Sequence, residues 1–255
     1  MLSAQRRMVI MDELQQSGLV MVGDLAGRLG VSEMTIRRDL ELLERTSDVV
    51  RVHGGAMRSR GGTAFEPSWN AKVALRNEAK ARIGKAAAAR VSPGDTILID
   101  SGTTALWVAR SLRAPCAVVV VDVKIAVELA GRPTSDGVQI LLVGGAVRSG
   151  YFSTTGQFAL EMLEQLHVDR AFLGADAIDL DAGVTNATVE EAAIKKQIIA
   201  AANEVVLVAD STKLGKVALA KVAPLADFSL WITDADGDAE RLQQIRAAGL
   251  PIEVV

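Results

Sequence analysis

The chain has 255 residues, with 28 Lys and Arg against 31 Asp and Glu, 49% apolar and 23% charged. Those proportions exclude disorder as a description of the whole and supply ample material for a buried core. Aromatic residues reach only 4%, which argues against a reader of single strands, since such proteins stack bases on exposed rings. One cysteine, Cys116, excludes an internal disulfide and a cysteine zinc site, and His53 and His167 lie too far apart for a paired-histidine metal motif. No apolar run approaches the roughly 18–20 residues of a membrane helix. The opening MLSAQRRM is followed by no apolar signal core. The expectation is a cytoplasmic protein with no metal, no cofactor and no membrane partner.

In chain order, residues 6–16 predict a first helix, with Ile10, Met11 and Leu14 at helical spacing and Gly18 at its end. A second helix is predicted over 22–29 and a third over 32–45, where Ile36, Leu40 and Leu43 form one apolar stripe. Residues 49–52 read as a strand, and His53-Gly54-Gly55 as a turn. Three helices and a β-hairpin make a winged helical domain over 1–57, its helix-turn-helix at about 22–41. Residues 58–75 hold the small polar run Arg58 to Thr63 and read as a linker.

Beyond it, over 76–255, helices alternate with strands. Apolar runs at 96–99, 117–121, 138–143, 169–173, 205–208, 228–233 and 252–255 predict strands, separated for the most part by helical stretches. The runs are continuous, as in strands with both faces covered. Repeated βα units imply right-handed crossovers and a mostly parallel, doubly wound α/β domain.

The spacing over 22–32 is that of a helix-turn-helix. Ala26 is small where two helices pack closely, and Gly30 stands where a tight turn needs positive φ. Ser32 can cap the next helix. With Ile36, Leu40 and Leu43 inward, Met34, Arg38, Glu41 and Arg45 turn outward, Thr35 and Arg37 lying on the flanks. Ser32, Met34, Thr35, Arg37, Arg38, Arg51 and His53 are therefore the candidate DNA-binding residues. Met34, Thr35 and Arg38 suit base edges, whereas Arg37, Arg51 and His53 suit phosphates. The competing reading is a protein-docking module whose arginines pair with Glu33, Glu41 or Glu44 on a solvated face.

Thr35-Ile36-Arg37-Arg38-Asp39-Leu40 followed by Arg51-Val52-His53-Gly54-Gly55-Ala56 resembles the DeoR family of bacterial transcriptional regulators. The resemblance continues in Asp100-Ser101-Gly102-Thr103-Thr104, Gly144-Gly145, Asp210-Ser211-Thr212-Lys213 and Ile232-Thr233-Asp234. It implies a winged-helix repressor whose C-terminal domain, similar to the sugar-phosphate isomerase and CoA-transferase fold, senses a phosphorylated metabolite. Partners implied are double-stranded operator DNA, such an effector, and further copies in a homodimer or homotetramer. The chain departs from the family pattern at Ser47, where Gly is usual, and at Val120-Val121, where Thr-Asn is usual. The second departure points to an effector unlike the common sugar phosphates, or one making fewer hydroxyl contacts.

For the effector, the loop at Asp100, Ser101, Gly102, Thr103 and Thr104 joins a strand to a helix start, whose amides and hydroxyls form an anion cradle. Local chemistry leaves a plain capped helix equally open, and the resemblance favours phosphate. Gly144, Gly145, Thr155 and Gly156 permit either a second pocket wall or structural turns. Asp176 and Lys213 follow strands and are assigned to the pocket. Glu190, Glu191, Lys195 and Lys196 are expected on a solvated helix face, with Glu191 and Lys195 an i, i+4 pair. Cys116 reads as packing and His167 as a surface residue. No catalytic residue is assigned. The alternative is a sugar-phosphate isomerase-like enzyme with an appended N-terminal module.

Overall fold

The computed structural model describes residues 2–46, 49–52, 54–58 and 69–255, and the chain divides into two compact units, 1–75 and 76–255. In the first, helix α1 (Ser3–Ser17) ends where Gly18 turns left-handed at φ 75° and donates to the Leu14 carbonyl. Strand β1 (Leu19–Met21), helix α2 (Val22–Leu29) and helix α3 (Glu33–Thr46) follow, then strands β2 (Val49–Val52) and β3 (Gly55–Arg58). Gly30, at φ 64°, makes the turn between α2 and α3. The core gathers Ile10, Leu14, Leu25, Ile36 and Leu40, with Leu29 and Val31 packed against it.

The wing is a three-stranded antiparallel sheet in the order β1-β3-β2, not the two-stranded hairpin expected. Three residues carry too little periodicity to reveal β1, yet that strand dictates Gly55. A Cβ there would overlap the Val20 carbonyl oxygen. Within the stretch read as linker, helix α4 (Trp69–Ala74) forms, and β3 extends to Arg58. His53, Ser47 and the polar run from Ser59 to Thr63 lie outside the described residues.

The second unit opens with α5 (Asn77–Ala88), β4 (Thr96–Ile99), α6 (Thr103–Ser111), β5 (Ala117–Val120), α7 (Val123–Ala130) and β6 (Gln139–Leu142). A short hairpin, β7 (Ala146–Val147) with β8 (Thr154–Thr155), precedes α8 (Gln157–Glu164) and β9 (Val168–Leu173). Then come β10 (Ala177–Asp179), β11 (Gly183–Asn186), α9 (Val189–Ala201), β12 (Ala202–Val208) and β13 (Ala220–Ala223). The chain finishes with β14 (Leu230–Thr233), α10 (Ala239–Ala247) and β15 (Ile252–Val254).

Seven strands form one parallel sheet in the order β15-β14-β12-β9-β4-β5-β6. Central β4 is sealed on both faces, as Ile97, Leu98 and Ile99 are wholly buried, which explains its unbroken apolar run. β6, at the edge, departs from that expectation, with Leu141 and Leu142 about two-fifths exposed. The antiparallel sheet β10-β11-β13 is additional to the expected fold. Its strands are short, and only the Gly183 turn, φ 74°, marks the hairpin in sequence.

Helices α5 and α6 pack so closely that a Cβ on Gly84 would lie 2.5 Å from the Trp107 carbonyl carbon and 2.6 Å from its Cβ. Gly is poor in a helix interior, so only this approach explains it. Gly84→Ala should therefore destabilise the sensor unit by about 1–3 kcal/mol despite better helix propensity, read as a lowered urea midpoint.

Candidate DNA interface and effector site

On α3, the Ser32 hydroxyl accepts the Thr35 amide at 3.2 Å, capping the helix. The buried stripe fixes its rotation, leaving Met34, Arg38 and Glu41 exposed and Thr35 half-buried beside them. Arg38 makes no ion pair among the described residues. Arg37 pairs with Glu33 at 2.9 Å, and Arg51 of β2 pairs with Glu41 at 2.9 Å while its amide donates to Glu44 at 3.2 Å. These exposed pairs are worth little in water, so either arginine can exchange its carboxylate for a phosphate. The backbone of Arg45 lies in α3, but its side chain is outside the described residues.

Sequence reasoning missed Asp39. It is buried, takes Arg6 and Arg7 of α1 on its two oxygens, and so ties the third helix to the first. An acid amid Arg37 and Arg38 was the available signal, but the partners lie 32 and 33 residues away.

In the sensor unit the candidate effector residues are spread over several strand ends: Asp100 to Thr104 follow β4, Gly144 and Gly145 follow β6, Thr155 and Gly156 close β8, Asp176 follows β9 and Lys213 follows β12. Asp100 is buried. Its Oδ2 accepts the Gly174 amide at 2.9 Å and forms an ion pair with Lys195 of α9, which also donates to the Gly174 carbonyl at 3.1 Å. One turn earlier on α9, Glu191 accepts Ser153 Oγ at 3.0 Å and Asn186 Nδ2 at 2.8 Å, and pairs with Arg148. Glu191 and Lys195 are thus buried, which corrects the solvated-face expectation for that pair; Glu190 and Lys196 are exposed, as expected. Burial alone would pull the Lys195 ammonium down, but the charges of Asp100, Glu191 and Asp176 outweigh it and hold it above its ordinary value.

The loop at 101–104 lies over this network. Gly102 caps α6 at φ 103°, and Gly156 caps α8 at φ 91°; neither helix start has a side-chain cap. By contrast Asp122, Thr188 and Asp238 cap α7, α9 and α10 with their own oxygens. Two helices at this end of the sheet therefore begin without a capping side chain, the condition in which a helix start favours an anion. Ser101 and Thr104 are half-buried there and Thr103 is buried.

Asp122 stands beside the loop, its Oδ2 3.4 Å from the Gly102 amide and its Oδ1 accepting the amides of Lys124 and Ile125. Burial pushes its carboxyl up to about 6, against the pull of those amides, and the Asp100 charge adds to the rise.

The β7-β8 hairpin brings Gly145 and Thr155 together, since a Cβ on Gly145 would lie 2.6 Å from the Thr155 carbonyl oxygen. Gly144 donates to Met162 Sδ at 3.5 Å. Asp176 accepts the Ala187 amide at 3.0 Å. Lys213 lies in a neighbouring cluster beyond β12, where Asp210 caps a short turn and Ser211 donates to Asp234 from its amide (2.8 Å) and hydroxyl (2.9 Å). Arg76, left-handed at φ 56°, pairs with Asp234 and Asp236 in that cluster. Val121 is a core residue, its carbonyl taking the Thr154 amide at 2.8 Å. His167 is exposed and Cys116 buried.

Residues 6–60 match the DeoR-like helix-turn-helix domain, and residues 75–235 match the DeoR C terminal sensor domain. The chain belongs to the DeoR family. As a DeoR-type protein it is a DNA-binding transcriptional regulator, not an enzyme. The HTH-type transcriptional regulator GlpR of Haloferax volcanii is 32% identical over 252 residues, covering 99% of this chain and 98% of that protein. The HTH-type transcriptional repressor GlcR of Bacillus subtilis is 31% identical over 235 residues, covering 92% and 89%. Among solved structures, ribose 5-phosphate isomerase A from Methanocaldococcus jannaschii aligns over 54% of each chain at 18% identity and a TM-score of 0.39. No helix among the described residues is long and apolar enough to cross a membrane.

Two tests follow from this DeoR-type sensor. Lys195→Met should destabilise the unit by about 3–5 kcal/mol by stranding a buried carboxylate, and adding Asp100→Asn should recover much of that loss, both read by urea unfolding. Asp122 holds a proton in the folded chain that the unfolded chain releases, so its contribution to stability falls as pH rises from about 4 to about 6. Asp122→Asn keeps a capping oxygen and removes that fall. Its stability relative to the parent should therefore be higher at pH 7 than at pH 4.5, by at most about 3 kcal/mol.

Proposed function

We propose that this regulator is a repressor of a sugar or related catabolic operon, acting in the cytoplasm as a homodimer or homotetramer. In this reading it is released from its operator by a phosphorylated metabolite. The observation that carries the proposal is the outward face of α3, where Met34, Thr35 and Arg38, which makes no ion pair among the described residues, stand on a helix held by its buried stripe and by Asp39. A helix so presented enters the major groove, where an arginine can make two bonds to guanine. Ser32, Arg37, Arg51 and His53 then serve the phosphates, fixing register. Repression is carried over from the name of GlcR.

The effector phosphate would sit on the amides that open α6, with the hydroxyls of Ser101, Thr103 and Thr104 around it and Asp100 anchoring the loop beneath. Gly102 supports this reading, since glycine at the cap position has no side chain to occupy the first amides of the helix. Gly144, Gly145, Thr155 and Gly156 would form the second wall, Asp176 would take a hydroxyl, and Lys213 would add positive charge. Release follows only if the effector prefers the form that does not fit the operator. A hundredfold loss of operator affinity corresponds to about 2.7 kcal/mol of coupling, and the operator must weaken effector binding by the same factor.

Fluorescence anisotropy with duplexes from the DNA upstream of its own gene, at two salt concentrations and with a panel of sugar phosphates, tests the proposal. Tight binding weakened by salt and by one of the phosphates is expected. Arg38→Ala should cost about 10- to 100-fold on the operator and relax sequence preference, while Arg37→Ala should weaken every duplex alike and lower the salt slope by about one. Binding indifferent to salt and to both substitutions would overturn it.

A further inference from the structure

The two edges of the seven-stranded sheet are built differently. At one edge, β15 carries Glu253, which pairs with Arg90, and a charge on an edge strand discourages the addition of another strand. At the other, β6 has no such guard, since residues 138–147 include no charged residue and no proline. The amides of Gln139 and Val143 donate to Cys116 and Val120, at 3.0 and 2.9 Å, on the β5 side. Alternation along the strand then turns the amides and carbonyls of Ile140 and Leu142 outward, beyond the last strand.

The side chains repeat the pattern. Leu141 and Leu142, on opposite faces of β6, are 41% and 40% exposed, although a parallel strand is ordinarily covered on both faces. Helix α7, which packs on β6, adds the exposed Val127. Folded monomers seldom leave so much apolar surface bare along an unguarded edge.

We propose that this edge pairs antiparallel with β6 of a second copy of the chain, about a two-fold axis through Leu141. Such an axis sets each residue near it against its own copy, so any charge there would repel itself; the uncharged run over 138–147 meets that requirement. With the axis at Leu141, Ile140 of each copy lies opposite Leu142 of the other, and their outward amides and carbonyls satisfy one another. The two Leu141 residues then form a non-hydrogen-bonded pair, with Cα atoms about 4.5 Å apart. The choice of a second copy as occupant rests on the operator-binding reading, because a helix-turn-helix domain reads paired half-sites as a two-fold dimer.

Cross-linking tests the register. Cys116 is the chain's single cysteine and is buried, so Leu141→Cys introduces one accessible thiol per copy. Mild oxidation of the full-length variant should convert it to a disulfide-linked dimer on a non-reducing gel, while the parent stays uncross-linked. Leu142→Lys should halve the mass measured by analytical ultracentrifugation with its circular dichroism unchanged. It should also weaken binding to a two-half-site duplex about a hundredfold. A monomeric parent, or a parent oligomer that neither cross-links through Cys at 141 nor loses mass with Lys at 142, would overturn the proposal. If the Leu141→Cys variant cross-links as described yet the parent binds no DNA, the interface stands and the operator reading fails.

Discussion

The ion pair between Lys195 and Asp100 is the contact on which the sensor unit's working end is built. Both groups are buried, and removing two charges from water costs several kcal/mol each, so the pair depends on the further hydrogen bonds around it. Gly174 completes it, giving its amide to the carboxylate and its carbonyl to the ammonium. One interaction thus fixes three elements, namely α9 and the carboxyl ends of β4 and β9. Glu191, a turn away on the same helix, extends the hold to Ser153, Asn186 and Arg148. The loop that opens α6 starts at Asp100 and inherits this rigidity, so under the proposed function its amides would need little reorganisation to receive an anion.

Glycine at two helix starts has the opposite character. Where Asp122, Thr188 and Asp238 satisfy the first amides of their helices from within, Gly102 and Gly156 leave that task to solvent or a ligand. The arrangement costs stability at both caps.

Elements with a strong period were legible in the sequence. The first three helices and all seven strands of the main sheet follow from apolar spacing, and Gly30 and the Ser32 cap follow from local stereochemistry. Short elements were not, because β1, β7 and β10 carry two or three residues each, too few to show a period. At 100–104 the strand-to-helix junction was legible, but its Ser and Thr suit a plain helix cap as well as an anion, and the resemblance alone separates the two. Glu191 and Lys195 were not legible, since an acid and a base at helical spacing look the same whether they face water or each other's buried partners. What distinguishes them is the position of Asp100, Ser153 and Asn186, all brought to α9 by the sheet's crossovers. Asp39 was hidden for the same reason.

On α3 the residues that hold the helix and those that face outward are different residues, interleaved. Ile36, Asp39, Leu40 and Leu43 are fixed from below, whereas Met34, Thr35 and Arg38 contribute nothing to that attachment. Changes at these outward positions leave the anchoring untouched, as surface substitutions generally do. If these three positions read bases as proposed, descendants of this chain can acquire new operators by drift there while the scaffold stays constant, and duplicated copies can diverge in the genes they govern without first having to regain a fold.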